Sequence, residues 1–95
     1  MKNKITDKLF ELAYTDSMTE VQNRNAYEER LRKLRKPNAN LSRITVIVID
    51  INGLKEINDG FGHFCGDDAI KSVAMALRET IGAKADIYRI GGDEF

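Results

Sequence analysis

The most informative stretch of this sequence is Ile44 to Asp67, ITVIVIDINGLKEINDGFGHFCGD. The stretch opens with Ile44–Ile49, an unbroken β-branched run that is too short to span a membrane and is typical of a strand buried on both faces. Asp50 follows the run directly. The end of a buried strand holds such a carboxylate rigidly, while its head reaches the crevice where ligands of α/β proteins gather. The sequence therefore predicts a ligand site at the carboxyl end of this strand.

A second polar turn closes the sequence in RIGGDEF, Arg89 to Phe95. The residues before it, 85–90, predict another strand, and the Gly-Gly pair that follows is a hairpin signal. Two acidic turns, each placed by a strand, together indicate a site for a metal ion and phosphate groups.

Oxygen ligands for a hard cation are available in both turns. Mg²⁺ typically takes one or two carboxylates plus substrate phosphates and water, and Asp50 and Asp93 can supply the carboxylates, with the carbonyl of Ile51 as a third oxygen. Glycines in both turns allow backbone N–H groups to approach phosphate oxygens closely. The alternative is that Asp50 only caps a turn and that the Gly-Gly pair only shapes a hairpin. The residue chemistry alone leaves both interpretations open.

The composition indicates one small domain with no net charge. The 95 residues carry 15 Lys and Arg against 15 Asp and Glu, so no overall field steers the chain to nucleic acid or to a membrane. Cys65 is the single cysteine, which excludes an intrachain disulfide and fits a reducing cytosol. The longest apolar run is far shorter than a bilayer requires, and the first residues lack the apolar core of a signal peptide. We therefore expect a cytoplasmic protein with no nucleic-acid partner and no direct membrane insertion.

Apolar periodicity predicts three helices and one short helical turn. Residues 1–14 form the first helix, which either docks on its own domain or arrives as a linker from an upstream sensor domain; the sequence leaves these two open. A second helix spans 23–36, and a helical turn at 55–59 leads into a glycine-punctuated loop. The third helix begins at Asp67 and ends near Gly82. Its predicted buried stripe consists of Ile70, Val73, Ala74, Leu77 and Ile81.

Two familiar patterns fail on their spacing. Gly60 to Gly66 nearly matches the dinucleotide-binding fingerprint, but its third glycine is one residue late and no strand directly precedes it. Asp50 to Asn52 resembles the start of a calcium loop, but Leu54 and Lys55 stand where an oxygen ligand and the turn glycine belong. Neither a dinucleotide site nor a calcium loop is predicted.

Three motifs, in order, resemble the GGDEF family of diguanylate cyclases. Gly91 to Phe95 is the GGDEF signature itself. Asp50 to Asp67 is similar to the family's D-x-D-x-F-K-x-I-N-D-x-x-G-H-x-x-G-D at its correct distance upstream. Thr15–Thr19 with Asn23-Arg24 resembles the opening D-x-L-T-x-x-x-N-R. The resemblance covers the chain from about Tyr14 to its last residue.

The resemblance implies an α/β (α+β) fold, in which helices flank a ferredoxin-type sheet. Nucleotide cyclases share this fold with polymerase palms. The fold is expected to be truncated in this chain. Residues 1–14 would then be an N-terminal linker or signalling helix, and residues 15–95 the N-terminal part of a GGDEF domain. In that fold the strand that follows the signature lies between the strands of 44–49 and 85–90. Without it, we expect the chain to pair its two strands directly, to borrow strands from a neighbour, or to be part of something longer.

The resemblance also implies a metal and catalytic centre. Asp50 and Asp93 match the family's side-chain metal ligands, and Ile51 matches its backbone carbonyl ligand. Glu94 matches the signature glutamate, which binds metal or deprotonates the attacking 3′-hydroxyl. Asp93 and Glu94 are therefore the expected catalytic pair.

Substrate-binding positions follow from the same match. Asn58 and Asp67 correspond to the pair that reads the guanine edge; a carboxylate accepts from the guanine N1–H and exocyclic amine, and an amide serves the remaining edge. Gly53, Leu54 and Lys55 correspond to the turn whose backbone touches the triphosphate.

The implied reaction joins two GTP molecules into cyclic di-GMP with release of pyrophosphate. The expected cofactor is Mg²⁺, or Mn²⁺ in its place. Since one domain binds one GTP, the implied enzyme is a homodimer, and helices such as residues 1–14 arrange the pair. The alternative is a non-catalytic GTP-binding or regulatory GGDEF module. The fragment on its own is expected to be inactive.

The sequence departs from the family pattern at five positions. Asn52 replaces the second aspartate of D-x-D and Leu54 replaces the usual phenylalanine, but neither side chain is an implied metal ligand. Glu20 stands where the opening motif normally has glycine, and Gln22 and Asn25 are also atypical. These last three bear on how the first helix is coupled to the domain.

Overall fold

The computed structural model describes residues 4–95, and this part of the chain contains four α-helices. They are α1, Lys4–Tyr14; α2, Arg24–Leu34; α3, Leu54–Phe61; and α4, His63–Ile81. The first three residues of the predicted helix 1–14 lie outside the described residues. A search of the described helices finds none that is both long and apolar enough to cross a membrane.

Helix α1 lies on the surface and buries none of its residues. Leu9, Phe10 and Leu12 are 62%, 66% and 65% exposed. The rings of Phe10 and Tyr14 contact each other within the helix, with their centroids 4.8 Å apart. The interpretation of this helix as a linker from an upstream domain stays a prediction.

Helix α2 begins at a cap that its own sequence provides. Asn23 Oδ1 accepts a hydrogen bond from the Ala26 backbone N–H at 2.9 Å, as an N-cap asparagine does. Ala26 is buried, and Tyr27, Leu31 and Leu34 are half-buried, so these residues form the inner face of the helix. The helix ends before the predicted Lys36, because a residue that precedes a proline, here Pro37, disfavours the helical conformation.

Helices α3 and α4 leave no glycine loop between them, which corrects the predicted boundaries. Helix α3 is longer than the predicted turn at 55–59, and α4 begins at His63, before the predicted Asp67. Gly62 alone separates the two helices, with φ +88°. An L side chain rarely adopts this backbone conformation, so glycine is what allows the chain to turn from one helix to the next within one residue.

The core is small and lies against the inner face of α4. The buried residues Val21, Ile70, Ala74 and Phe95 form one cluster. The partly buried residues that pack around it are Met18, Ile49, Ile51, Leu54, Val73, Leu77 and Ile87. Four of the five residues of the predicted stripe of α4 therefore belong to this core, and the fifth, Ile81, is half-buried. The cluster also joins both acidic turns, because Ile49 and Phe95 reach it from the segments that carry them.

Extended pairing within residues 4–95 is limited to three isolated bridges. Gln22 pairs antiparallel with Thr15 and parallel with Tyr88, and Asp50 pairs antiparallel with Glu94. The described chain is thus mostly helical, and the predicted ferredoxin-type sheet is not formed in it. The predicted strand at 85–90 is present only as a segment that bonds to Gln22 and, at Ile90, to Glu94.

The run 44–49 does not form a strand, which corrects the central prediction. Ile49 exchanges two backbone hydrogen bonds of 2.8 Å with Phe95, whereas residues 44–48 pair with no other segment of the described chain. A β-branched run favours a strand only where neighbouring strands and packing partners support it. Here Val46 and Val48 are instead 75% and 68% exposed.

The two predicted strands do not pair with each other directly. Glu94 and Phe95 lie between them: the Ile90 N–H donates to Glu94 O at 3.0 Å, and Phe95 bonds to Ile49. This is the position expected for the strand that follows the signature.

Candidate functional site

Asp50 and Glu94 lie directly opposite each other on two antiparallel segments. Hydrogen bonds flank the pair on both sides, between Ile49 and Phe95 and between Ile51 and Asp93. Asp50 and Glu94 therefore form a non-hydrogen-bonded pair, the arrangement in which opposed side chains share a face and approach most closely. Two like charges in this position repel each other, so a cation between them is favoured. The structure brings together two carboxylates that the sequence places 44 residues apart (94 − 50).

The backbone beside this pair supplies a further oxygen. The Ile51 N–H donates to Asp93 O at 2.9 Å, and no described residue donates a hydrogen bond to the Ile51 carbonyl. Within residues 4–95, no three His, Cys, Asp or Glu residues lie together so that they could hold a metal ion by themselves. A donor set of two carboxylates and a carbonyl nevertheless fits Mg²⁺, which usually completes its shell with phosphate oxygens and water.

The predicted triphosphate turn is the start of α3. Gly53 precedes the helix in the left-handed conformation, with φ +76°. The N–H groups of a first helical turn, here including those of Leu54 and Lys55, have no acceptor inside the helix and suit an anion. The Leu54 side chain packs against the core, whereas Lys55 is exposed. The core thus fixes the backbone of this turn through Leu54.

Asn58 and Asp67 belong to neighbouring helices and meet around a buried glycine. The Asn58 side chain fills the space beside Gly66: a Cβ atom on Gly66 would lie 1.7 Å from Asn58 Oδ1 and 2.8 Å from its Cγ. Asn58 Oδ1 is buried and has no hydrogen-bond partner. Asp67 follows Gly66 directly and is half-buried. The structure therefore places the two predicted guanine-reading residues in one neighbourhood.

Sequence reasoning missed Gly66 as a site residue. The sequence predicts a loop at Gly66, but the residue lies inside α4, where a glycine costs about 1 kcal/mol relative to alanine. A glycine inside a strongly amphipathic helix indicates that something approaches the backbone closely. That signal was available, and the approaching group is the Asn58 amide.

Arg89 was also given no role from the sequence, although it lies just before the signature. Its side chain is 15% exposed and forms an ion pair with Asp16, Nη1 to Oδ2 at 3.2 Å. A charged residue inside the apolar run 87–90 is itself a signal, because a buried charge requires a partner. Burial raises the pKa of Asp16, but hydrogen bonds from Thr19 and the charge of Arg89 outweigh it and hold that pKa below its ordinary value of 3.8.

The chain is similar to several curated bacterial proteins. It is 40% identical over 84 residues to the diguanylate cyclase TpbB of Pseudomonas aeruginosa, which covers 87% of this chain and 19% of TpbB. It is 31% identical over 94 residues to the cyclic di-GMP phosphodiesterase PdeR of Escherichia coli, covering 99% of this chain and 14% of PdeR. The chain therefore spans less than a fifth of the length of each of these two relatives.

A solved structure shares the fold. The coiled coil and GGDEF domain of DgcB from Caulobacter crescentus, in complex with c-di-GMP, aligns with a TM-score of 0.77 and 27% identity, covering 97% of this chain and 49% of that one. The sequence profile described as the GGDEF domain of diguanylate cyclases matches residues 13–95. These residues are the ones that carry the opposed carboxylates, the start of α3 and the Asn58–Gly66 contact. The chain belongs to the GGDEF domain family.

Proposed function

We propose that the domain to which this chain belongs is a diguanylate cyclase that condenses two GTP molecules into cyclic di-GMP and two pyrophosphates. In each of the two steps a bond forms between a 3′-oxygen and the α-phosphorus of the other nucleotide, and the bond from that phosphorus to the pyrophosphate oxygen breaks. The observation that carries the proposal is the opposition of Asp50 and Glu94 on one face of paired segments.

The opposed carboxylates would supply oxygen ligands for a cation and a proton acceptor for a 3′-hydroxyl. Asp50 and Glu94, with the Ile51 carbonyl and Asp93, would hold Mg²⁺ or Mn²⁺ together with phosphate oxygens. The bound cation would stabilise charge on the attacking and leaving oxygens. Glu94 is also the group suited to accept the proton of the attacking hydroxyl. Gly53, Leu54 and Lys55 would present backbone N–H groups to the triphosphate.

Guanine recognition by Asn58 and Asp67 follows from the polarity of their side chains. A carboxylate at Asp67 accepts hydrogen bonds, which suits the N1–H and amino group of guanine and not the unprotonated N1 of adenine. Asn58 carries both an amide N–H donor and a carbonyl acceptor, so it can serve the remaining edge of the base.

The activity is tested with a protein that contains the complete domain. Incubation with GTP and Mg²⁺ should yield cyclic di-GMP and pyrophosphate, measured by chromatography. Glu94→Gln and Asp50→Asn should each lower kcat by about 10²–10⁴-fold. Glu79→Gln, an exposed charge change on α4, is the matched control and should leave kcat unchanged. Product formed equally by the Glu94 variant would contradict the proposal.

The guanine assignment has its own pair of variants. Asp67→Asn should weaken GTP binding by about 10- to 100-fold, since a hydrogen bond to a charged group contributes roughly 1.5–3 kcal/mol. Asp68→Asn, the exposed neighbour, should have no effect. Calorimetry with 3′-deoxy-GTP and 3′-deoxy-ATP measures binding without turnover. Unchanged preference for the guanine nucleotide in Asp67→Asn would exclude Asp67 as the reader.

A homodimer is part of the proposal, because each domain holds one GTP and the two nucleotides must face each other. The specific activity should therefore rise with protein concentration over the range in which the protein dimerises. A non-catalytic GTP-binding module is the outcome in which guanine nucleotide binds but no product forms.

A further inference from the structure

The signature turn is held by two guanidinium groups. Arg24 Nη1 donates to the Ile90 carbonyl at 3.0 Å, and Arg89 Nη2 donates to the Gly92 carbonyl at 3.0 Å. These two carbonyls lie on either side of Gly91. The turn that leads into Asp93 and Glu94 is therefore hydrogen-bonded to an arginine side chain on each side of Gly91.

Arg89 is itself anchored to the turn that follows α1. Its Nη1 atom donates to both carboxylate oxygens of Asp16, at 3.3 and 3.2 Å, and contacts Met18 Sδ at 3.8 Å. Asp16 is fixed in turn by Thr19, whose N–H and hydroxyl donate to Oδ2 at 3.0 and 2.6 Å. The Arg89 and Asp16 side chains are only 15% and 19% exposed. An ion pair this shielded has one defined geometry, whereas exposed pairs exchange readily with water.

Arg24 is anchored to the end of α1 by its two sequence neighbours. The side-chain amides of Asn23 and Asn25 both donate to the Ala13 carbonyl, at 2.9 and 3.0 Å, and the Asn23 N–H donates to Tyr14 O at 3.0 Å. The last turn of α1 is thus joined by three hydrogen bonds to Asn23 and Asn25, the residues on either side of Arg24. The end of α1 therefore fixes the backbone on both sides of Arg24, whose side chain is 67% exposed and also pairs with Glu28 at 3.2 Å.

We infer that Arg24 and Arg89 are positioning residues that clamp the signature turn, and that they make the end of α1 part of the structure that holds Asp93 and Glu94 in place. The inference rests on the proposed function, since it assigns the turn a task. Neither arginine is a catalytic residue, because each acts through a backbone carbonyl. Arginine suits both positions: its planar fork lets Arg89 bind a carboxylate with one nitrogen and a carbonyl with the other, which a lysine cannot reproduce.

The clamp can be tested without nucleotide, by amide hydrogen exchange in a protein that contains the complete domain. The reporters are the Ile51 and Phe95 amides, which bond across the Asp50–Glu94 pair. We expect Arg89→Lys and Arg89→Gln to accelerate their exchange about tenfold, while amides in the middle of α4 change less than about twofold. Arg78→Gln is the matched control: it breaks the exposed pair with Glu20 and should leave the reporters unchanged.

Kinetics supply the second readout. Arg89→Lys should lower kcat about tenfold or more with less than a threefold change in the KM for GTP, because a displaced turn misplaces Asp93 and Glu94 without removing a substrate contact. Full rescue by lysine, or reporter exchange equal to that of Arg78→Gln, would overturn the inference. If Arg89→Gln unfolds the domain, amides in α4 will exchange as fast as the reporters. In that case Arg24→Gln replaces it, and the inference is tested by comparing the exchange of the reporters with that of the α4 amides in this variant. Altered exchange in a protein that makes no cyclic di-GMP would refute the proposed function and leave the clamp standing.

Discussion

Gly66→Ala should destabilise the α3–α4 contact, although alanine is the better helix former. Gly66 lies inside α4, where replacing glycine by alanine gains about 1 kcal/mol when space is available. Here the new Cβ would lie 1.7 Å from Asn58 Oδ1 and 2.8 Å from its Cγ. The Asn58 amide must leave its position, and overpacking of this kind costs about 1–3 kcal/mol. The expected net change is a loss of up to about 2 kcal/mol in the free energy of unfolding.

Gly60→Ala is the matched control, because a Cβ on Gly60 meets nothing within 4 Å. Gly60 lies within α3 and its φ is not positive, so this variant should gain about 0.5–1 kcal/mol. A double-mutant cycle isolates the contact: in an Asn58→Ala background, Gly66→Ala should turn from destabilising to stabilising by about 1 kcal/mol. Urea denaturation of the complete domain, followed by circular dichroism, measures all four corners of the cycle. Additivity of the two substitutions within about 0.5 kcal/mol would refute the packing of Asn58 on Gly66.

The same variant separates stability from function. Gly66→Ala displaces the Asn58 amide, so GTP affinity should fall about tenfold, the equivalent of one hydrogen bond of roughly 1.4 kcal/mol. Gly60→Ala should bind GTP normally. If Gly66→Ala lowers stability but leaves GTP affinity unchanged, Asn58 is a packing residue and not a guanine reader.

Three further expectations concern charged and titrating side chains. Asp50→Asn should raise the free energy of unfolding by about 0.2–1 kcal/mol in EDTA, since it removes the repulsion between two opposed like charges. With Mg²⁺ present the variant should be no more stable than wild type. A loss of stability in EDTA would contradict the opposed geometry. The pKa of Asp16 is lowered in the folded state. The ionised carboxylate therefore contributes to the free energy of unfolding in full above the ordinary value of 3.8, and this contribution is lost as the pH falls through the lower folded value. The stability difference between wild type and Asp16→Asn, measured by urea midpoints, should shrink only in that acid range. Burial, and secondarily the charge of Asp86, raise the Tyr88 pKa above 10.0, partly opposed by Arg30; Asp86→Asn should lower it, as absorbance titration against a Tyr88→Phe reference will check.

The helices could be predicted from the sequence because their signals are local. The α4 stripe that includes Ile70 and Ala74, and the start of the second helix near Asn23, each depend on only a few neighbouring residues, and both are found in the structure. The helix boundary at His63 was missed because glycines suggest a loop, whereas the close packing of Asn58 on Gly66 is a tertiary contact that no local pattern contains.

The sheet could not be predicted in the same way. The β-branched run 44–49 is a strong strand signal, but a strand is completed by partners distant in sequence. Within residues 4–95 only Ile49 finds its full pairing, with Phe95, and residues 44–48 stay exposed. The roles implied for Asp50, Ile51, Asp93 and Glu94 stay predictions, but their adjacency follows from this one short pairing.

The register of that pairing explains why two carboxylates can be held face to face. Ile49, Ile51 and Phe95 all pack on the core, so the residues that alternate with them, Asp50 and Glu94, are directed to the opposite face. A slip of one residue would exchange the faces. The slipped register would be less stable by roughly 1.5–3 kcal/mol because Phe95 becomes exposed. It would be less stable by several kcal/mol more for each carboxylate moved into the core. The repulsion between opposed like charges is only about 0.2–1 kcal/mol. Burial of the apolar residues therefore outweighs the repulsion several-fold and keeps the two carboxylates together where a cation can bind them.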